Sequence, residues 1–345
     1  MLILKKILNK LDGLHYPQEY LCFAKESMVH PLRVYLVNDK QIIKDITNRH
    51  LFVGYCPLVF AFTDPDLLSE SRPLGPGGEP ASLQLIFSQR LLLPNEIFSK
   101  RDAIASLDLQ LIKKQPFENN SSLPDTLQDS VSRQVSYYEG INGTHHFLSG
   151  FHQFINRVYN ELYNKKPGNV FLHDNLYKQV QIAYAVPRII SLITVGNNEL
   201  FNLFPSDLHG QVDEQHYIIS LRVGGKAGDQ ADMAGKLLIS QIHCDAYKMV
   251  YGLGKNHMQE LKSKENFPFV QSLSQTFKWP LPEHAVSYKE LILADSFTHG
   301  IHKILLFKIV YSGQLHAQTA TLAHIHNSYA TWRYKNRLPG NFLLR

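Results

Sequence analysis

Gly224-Gly225-Lys226-Ala227-Gly228-Asp229 places three glycines and a lysine ahead of a stretch that reads as a helix. A loop of this kind turns backbone N–H groups and a helix N-terminus toward one point, which is chemistry for holding an anion. Arg222, just before the loop, is placed to add a charge-assisted hydrogen bond. The competing reading is a tight strand-to-helix turn whose lysine is solvated. Asn202-Leu203-Phe204-Pro205-Ser206 sets small polar side chains just after a strand, and Thr298-His299-Gly300-Ile301-His302 leads imidazoles into another. Other catalytic signatures are missing. There is no G-x-S-x-G and no H-E-x-x-H, Gly252-Leu253-Gly254-Lys255 lacks the spacing of a P-loop, and Val223 to Gly228 is not G-x-G-x-x-G. His145-His146, His299-x-x-His302 and His324-x-His326 offer ligand atoms without a matching Asp, Glu or Cys set, so they read as surface or core histidines and no metal is expected.

The elements that must position these groups are mostly strands. Residues 1–30 read as helical, broken near Gly13 and Pro17, with Ile3, Ile7, Leu8 and Leu11 inward. Leu32, Val34 and Leu36 alternate, and strand patterns recur at Ile42 to Ile46, Leu58 to Phe62 and Ser82 to Phe87. Residues 71–80 are a Pro/Gly loop, and 113–135, rich in Asn, Ser, Gln and Asp, form the best linker. Phe147, Phe151, Phe154, Ile155, Val158 and Leu162 recur at helical spacing, ending before Lys165-Lys166-Pro167-Gly168. Val180, Ile182, Tyr184 and Val186 alternate as a strand would. Ile189 to Val195 and Tyr217 to Val223 read as strands, and Asp229 to Ile242 as a helix with Met233, Leu237 and Leu238 inward, capped by Asp229 or Gly228. Tyr247 to Tyr251, Tyr288 to Leu293 and His302 to Leu315 read as strands. Many short strands with few helices imply a mainly β protein built on a small antiparallel barrel.

The 345 residues carry 44% hydrophobic and 19% charged side chains, which excludes a mainly disordered or fibrous chain and fits two domains. No run of apolar residues is long enough for a membrane-spanning helix. Cys22, Cys56 and Cys244 are odd in number and far apart, which fits a reducing compartment, and a cytoplasmic location is expected. The formal charge is +5, from 35 Lys+Arg against 30 Asp+Glu. No acidic residue follows Asp295, whereas Lys303, Lys308, Arg333, Lys335, Arg337 and Arg345 do. This stretch reads as a solvated basic surface or as a positive wall for a phosphorylated ligand. Tyr329, Trp332 and Tyr334 among these cations also suit nucleic-acid stacking, but a packed edge accounts for them better, and no nucleic-acid partner is expected. Pro31 to Val37 followed by the run from Leu58 is echoed by Pro187 to Ile193 followed by the run from Ile218. Either a duplicated module or a generic strand–turn–strand pattern produces this.

Over about residues 180–315 the order of these features resembles the flavin reductase-like family of FMN-binding split barrels. The resemblance implies a Greek-key split β-barrel at 179–345, after a linker and helix at 116–178 and an N-terminal α+β half or degenerate barrel module at 1–115. It implies FMN, with FAD as the alternative, and NAD(P)H as the transient hydride donor. Asn202, Phe204, Pro205 and Ser206 would lie along the flavin ring and ribityl chain. Ser220, Arg222 and Lys226 would hold the phosphate, with Gly225 allowing close backbone approach, and His302 would line the reacting face. The family's Gly-Asp-His is here Gly300-Ile301-His302, which places nicotinamide-dependent turnover in question and keeps a non-catalytic flavin or small-ligand binder as the alternative function. Members pair two barrels around the flavin, so a homodimer is expected, or an internal pseudo-dimer if the halves are repeats.

Overall fold

The computed structural model describes residues 2–38, 41–62, 82–99, 101–117, 134–163, 165, 170–197, 199–317 and 320–338. The Pro/Gly loop at 71–80 and most of the 113–135 segment lie outside them. Helix α1 (Leu2–Leu11) is followed by β1 (Tyr20–Ala24), then by β2 (Arg33–Asn38), β3 (Gln41–Asp45), β4 (His50–Tyr55), β5 (Leu58–Phe62), β6 (Ser82–Ser88), β7 (Ala105–Pro116) and β8 (Gln134–His145). Helices α2 (Gly150–Tyr163) and α3 (Asp174–Ala183) lead to β9 (Arg188–Ile189), β10 (Ser191–Gly196), β11 (Leu200–Ser206), β12 (His209–Gln211) and β13 (His216–Arg222). Next come α4 (Lys226–Ala234), β14 (Lys236–Ile242), α5 (Tyr247–Gly252), β15 (Lys262–Ser263), β16 (Phe269–Leu273) and β17 (Pro280–Pro282). The chain closes with the long hairpin β18 (Ala285–His299) and β19 (His302–Gln314), then β20 (Leu322–His326) and α6 (Asn327–Lys335).

The fold is mostly β. Two large antiparallel sheets share one topology. The first runs β3-β2-β6-β7-β8-β5-β4, and the second runs β11-β10-β14-β18-β19-β13-β12 with β15 added beside β11. In each sheet a strand begins 25 residues after its counterpart of the echoed pair (33 to 58, and 191 to 216). A third sheet, β1-β20-β9, ties the start, middle and end of the chain together. In the second sheet, Phe204 of β11 and Tyr217, Ile219 and Leu221 of β13 share one apolar cluster with Ala227 and Ala231 of α4. Strands far apart in sheet order meet there, so the sheet curls around its own core. The first sheet has a separate core built on Leu36, Phe60, Leu85, Leu107 and Tyr138. The two sheets meet through Val53, Val59, Ala61 and Tyr137 on one side and Ile218, Ile304 and Leu306 on the other. Burying such side chains stabilises by roughly 1.5–3 kcal/mol each and joins the halves.

Several elements differ from their sequence patterns. Residues 20–24 form strand β1, so the helical reading of 1–30 holds only for α1, whose Leu8 is buried while Ile7 and Leu11 are exposed. Residues 174–183 are helix α3. Gln179, Val180, Gln181, Ile182 and Ala183 are all buried there, so no polar face marks the 3.6 period and the Val180–Ile182–Tyr184 alternation misleads. The helix expected at 229–242 stops at Ala234, because Gly235 takes a left-handed φ of 61° as C-cap, and Leu237 and Leu238 are buried in β14 instead. Gly225 occupies the N-cap, and Met233 is 88% exposed. Tyr247 to Tyr251 is helical (α5), not extended. In α2 the apolar stripe is largely outside: Phe151, Phe154 and Leu162 are exposed while Asn156 and Asn160 are buried. Asn156 Nδ2 donates to Asp12 O and Asn160 Nδ2 to Leu172 O, so hydrogen bonding orients that face. Residues 134–145, inside the stretch read as linker and helix, pair with β5 and β7 in the first sheet.

Candidate functional site

Strands β13 and β19 are neighbours with Arg222 opposite His302. Their ends meet the β4–β5 turn of the first sheet. Ile301 N–H donates to Cys56 O at 3.0 Å, and Tyr55 N–H donates to His302 Nε2 at 3.2 Å. The Tyr55 ring stands edge-on to the His302 ring at 4.6 Å. Because Nε2 accepts, the His302 proton is assigned to Nδ1, which faces Ser220 Oγ at 3.1 Å. His302 is 1% exposed, and burial pushes its imidazole down to about 4, so it is neutral at physiological pH. Ser220 is buried with it. His302 thus bridges the sheets, one ring nitrogen meeting Tyr55 N–H of the first sheet and the other Ser220 of its own.

Gly224 takes a left-handed φ of 78° with open space where a Cβ would point. The chain then enters α4 with no side chain capping its first N–H groups. Lys226 is exposed and pairs with Glu260 at 2.6 Å. The side-chain hydrogen bond it donates to Glu260, and the charge of that carboxylate, raise the Lys226 ammonium above its ordinary value. Arg222 is exposed and forms part of the wall of a cavity of about 420 Å³ between the sheets, opposite Tyr55. Tyr20, Tyr177, Tyr184, Glu19 and His324 line the same space.

The segment expected along a flavin ring divides between the middle of β11, where Asn202 and Phe204 share one face, and its end, where Pro205 and Ser206 lie. Asn202 and Phe204 face α4. Asn202 is fully buried, its Nδ2 donating to Gln230 Oε1 at 2.8 Å and to Asn256 O at 2.9 Å, and Phe204 lies in the second core. Pro205 and Ser206 instead line a smaller cavity of about 210 Å³ with Val250, Tyr251 and Gly254. His324 is common to the walls of both cavities. The structure therefore gathers Ser220, Arg222 and His302 at the junction, holds Gly225 and Lys226 at the α4 N-terminus, places Pro205 and Ser206 around the corner, and withdraws Asn202 and Phe204.

Tyr55, Glu19, Tyr20, Tyr177, Tyr184 and Asp207 had no sequence signal of their own. Tyr55 meets His302 across 247 positions, and no local pattern encodes such a contact. His324-x-His326 was visible as a pair. Its partners Asp207 and Glu19, at 2.8 and 3.5 Å, come from distant segments. The one cluster with metal-ligand proximity among the described residues is His243, Cys244 and Asp245, three neighbours in a 3-10 turn with no further ligand.

No protein-family model and no curated protein matches the chain. Solved structures do. The NADH:FAD oxidoreductase SgcE6 of Streptomyces globisporus C-1027 aligns at 13% identity and a TM-score of 0.39, covering 47% of this chain and 96% of that one. An FMN-binding protein from Thermus thermophilus aligns at 18% identity and a TM-score of 0.37, covering 47% and 92%. BorF, the flavin reductase component of a bacterial two-component tryptophan halogenase, aligns at 12% identity and a TM-score of 0.37, covering 43% and 91%. Over a little under half of its length, this chain is similar to flavin reductases and FMN-binding proteins of solved structure.

Proposed function

We propose that the protein binds a flavin nucleotide between its two sheets and serves as a flavin-dependent oxidoreductase fed by a nicotinamide. The supporting observation is the anion cradle: an uncapped α4 N-terminus entered through Gly224, with Lys226 beside it and Arg222 at the edge of the inter-sheet cavity. Open backbone donors, a helix dipole and two cations suit a phosphate monoester. Pro205, Ser206 and Tyr55 would meet the ring system, and Asn202 and Phe204 would support that wall from behind. A bound flavin would supply the redox chemistry, accepting a hydride at N5 from nicotinamide C4. The chain's own task is to hold two planar rings together, neutralise phosphate and exclude water. His302, neutral and bridging, would fix the turn that closes the site.

The identical strand order of the two sheets supports reading the halves as a repeated split-barrel module. His50 and His209, which begin the equivalent strands β4 and β12, add to this. An internal pair would then replace the expected homodimer. A second reading, flavin binding without turnover, is favoured by one observation: both His302 nitrogens are engaged within the protein, and the neighbouring carboxylate is replaced by Ile301.

The test is reconstitution with FMN followed by dialysis. Retained flavin absorbance is the expected result, and neither retained absorbance nor quenched flavin fluorescence would overturn binding. Stopped-flow mixing with NADH or NADPH then separates the readings. Bleaching faster than free FMN identifies the oxidoreductase, and bleaching at the free rate leaves the binder.

A further inference from the structure

Helices α2 and α3 turn amide side chains inward. Asn156 and Asn160 of α2 and Gln181 of α3 are 8%, 6% and 3% exposed, while Phe151, Phe154 and Leu162 of α2 face outward. Burying amides in place of an apolar stripe costs stability unless their donors and acceptors are used. Asn156, Asn160 and Gln181 line a cleft of about 270 Å³ between the two helices. Neither Tyr55 nor Arg222 lines it, and α2 lies ahead of the segment that resembles a flavin barrel. Asn160 and Tyr177 are common to its wall and to that of the inter-sheet cavity.

Two polar atoms of these amides are unclaimed. Burial pushes the His145 imidazole down to about 4, so it is neutral at physiological pH. Its Nδ1 has no partner, so the proton is assigned to Nε2, which donates to Gln181 Oε1 at 2.9 Å. Gln181 Nε2 then has no acceptor among the described residues. Asn156 Nδ2 donates to Asp12 O and to His152 O, both at 3.0 Å, and Asn156 Oδ1 has no donor among the described residues. Neither free atom is sealed inside the protein. The cleft thus offers one donor and one acceptor, each on a side chain more than nine-tenths buried. An occupant that answers both must carry an acceptor and a donor of its own. Arg157 and Lys178 stand in the same wall as Glu161 and Asp174, so a net charge on the occupant is not favoured. The rings of Phe154 and Tyr177 beside the space suit a flat molecule.

We propose that the cleft between α2 and α3 is a binding site for a small uncharged planar lactam of the pyrimidine kind, whose carbonyl accepts from Gln181 Nε2 and whose ring N–H donates to Asn156 Oδ1. A lactam carries both groups on one rigid ring, so it satisfies both amides without ordering any rotatable bond. The site stands without the flavin reading, because binding requires no flavin.

The test titrates the flavin-free full-length protein with uracil by calorimetry, and saturable 1:1 binding is expected. 1,3-Dimethyluracil keeps the carbonyls and lacks both N–H groups, and should bind about fivefold more weakly or worse, the worth of one neutral hydrogen bond. Gln181→Glu keeps the oxygen that accepts from His145 and replaces the free donor by an acceptor, so it should weaken uracil by about tenfold or more. Gly150 lines the cleft with open space where a Cβ would point, so Gly150→Trp should fill the space and abolish binding. Saturating FMN should leave the uracil affinity unchanged. Absence of saturable binding, equal binding of 1,3-dimethyluracil, displacement of uracil by FMN, or undiminished binding by either variant while thermal melting shows it folded would each overturn the proposal. If Gln181→Glu fails to fold, Gly150→Trp and 1,3-dimethyluracil decide alone. Failure here leaves FMN retention untouched, and failure of FMN retention leaves this binding untouched.

Discussion

At the scale of single residues, the cations of the cradle are unequal. Both are exposed; Arg222 borders the cavity and Lys226 pairs with Glu260. Arg222→Ala should weaken FMN by about 10- to 100-fold, the worth of a charge-assisted hydrogen bond, with riboflavin little affected. Lys226→Ala should weaken FMN by only about threefold, as an exposed ion pair does. Glu260→Gln, which frees the lysine, should tighten FMN slightly. Equal losses for FMN and riboflavin in fluorescence titrations would remove both cations from the phosphate. A second residue-level prediction concerns pH. Burial pushes His50, His145, His209 and His302 from an ordinary 6.5 down to about 4. Between those values the unfolded chain takes up protons that the folded chain refuses. The histidine contribution to stability should therefore fall as pH drops from about 6.5 to 4, by up to about 3 kcal/mol per histidine, and level off below. Urea midpoints across that window measure it, and His50→Gln should flatten the slope.

At the scale of elements, two contacts lock distant segments together. The β18–β19 turn seats Gly300, at a φ of 57°, directly against Cys56 O and Pro57 Cδ of the first sheet. Gly300→Ala meets both the left-handed backbone and that wall. A loss of about 2 kcal/mol or more is expected, read as a lowered melting temperature, whereas alanine at Gly252, with open space around it, should cost little. Helix α6 buries Arg333 completely, its Nη1 donating to His30 O and its Nη2 to Val29 O. Arg333→Met keeps the stem but strands two carbonyls, and should cost about 2–3 kcal/mol by denaturant titration. This also answers the alternatives for the C-terminal aromatics: Tyr329 is buried and Trp332 packs against the first core, so both serve the interior.

At the scale of the whole molecule, the acid-free C-terminal stretch is not an open positive face. Lys303 pairs with Asp232, His299 with Glu139, His324 with Asp207 and His326 with Glu19. Lys335 donates to Gly13 O and Arg333 to carbonyls near β2. A segment without carboxylates is matched to carboxylates that precede it in the chain, and this matching helps hold the ends together. If the two sheets form the internal pair proposed above, the protein should run as a single-chain monomer. Light scattering coupled to size exclusion measures this, and a stable dimer would remove the internal-pair reading.

Local chemistry determined what local chemistry can. The short buried run at Tyr217 to Val223 and the strand read at His302 to Leu315 matched β13 and β19 almost to the residue, and glycines with a lysine marked the turn into α4. The matching patterns at Pro31 and Pro187 picked out strands that occupy equivalent places in the two sheets. Helix α3 escaped, because five consecutive residues at its C-terminal end, Gln179 to Ala183, are all buried and leave no polar face there from which the period can be read. Which groups share a cavity was decided only by the tertiary structure. Tyr55 and His302, Glu19 and His326, and Asp207 and His324 are brought together by the packing of the sheets and by the third sheet that joins both ends of the chain. Secondary structure depends on neighbours within a few positions, whereas a site depends on surfaces that meet only after the strands have found their order.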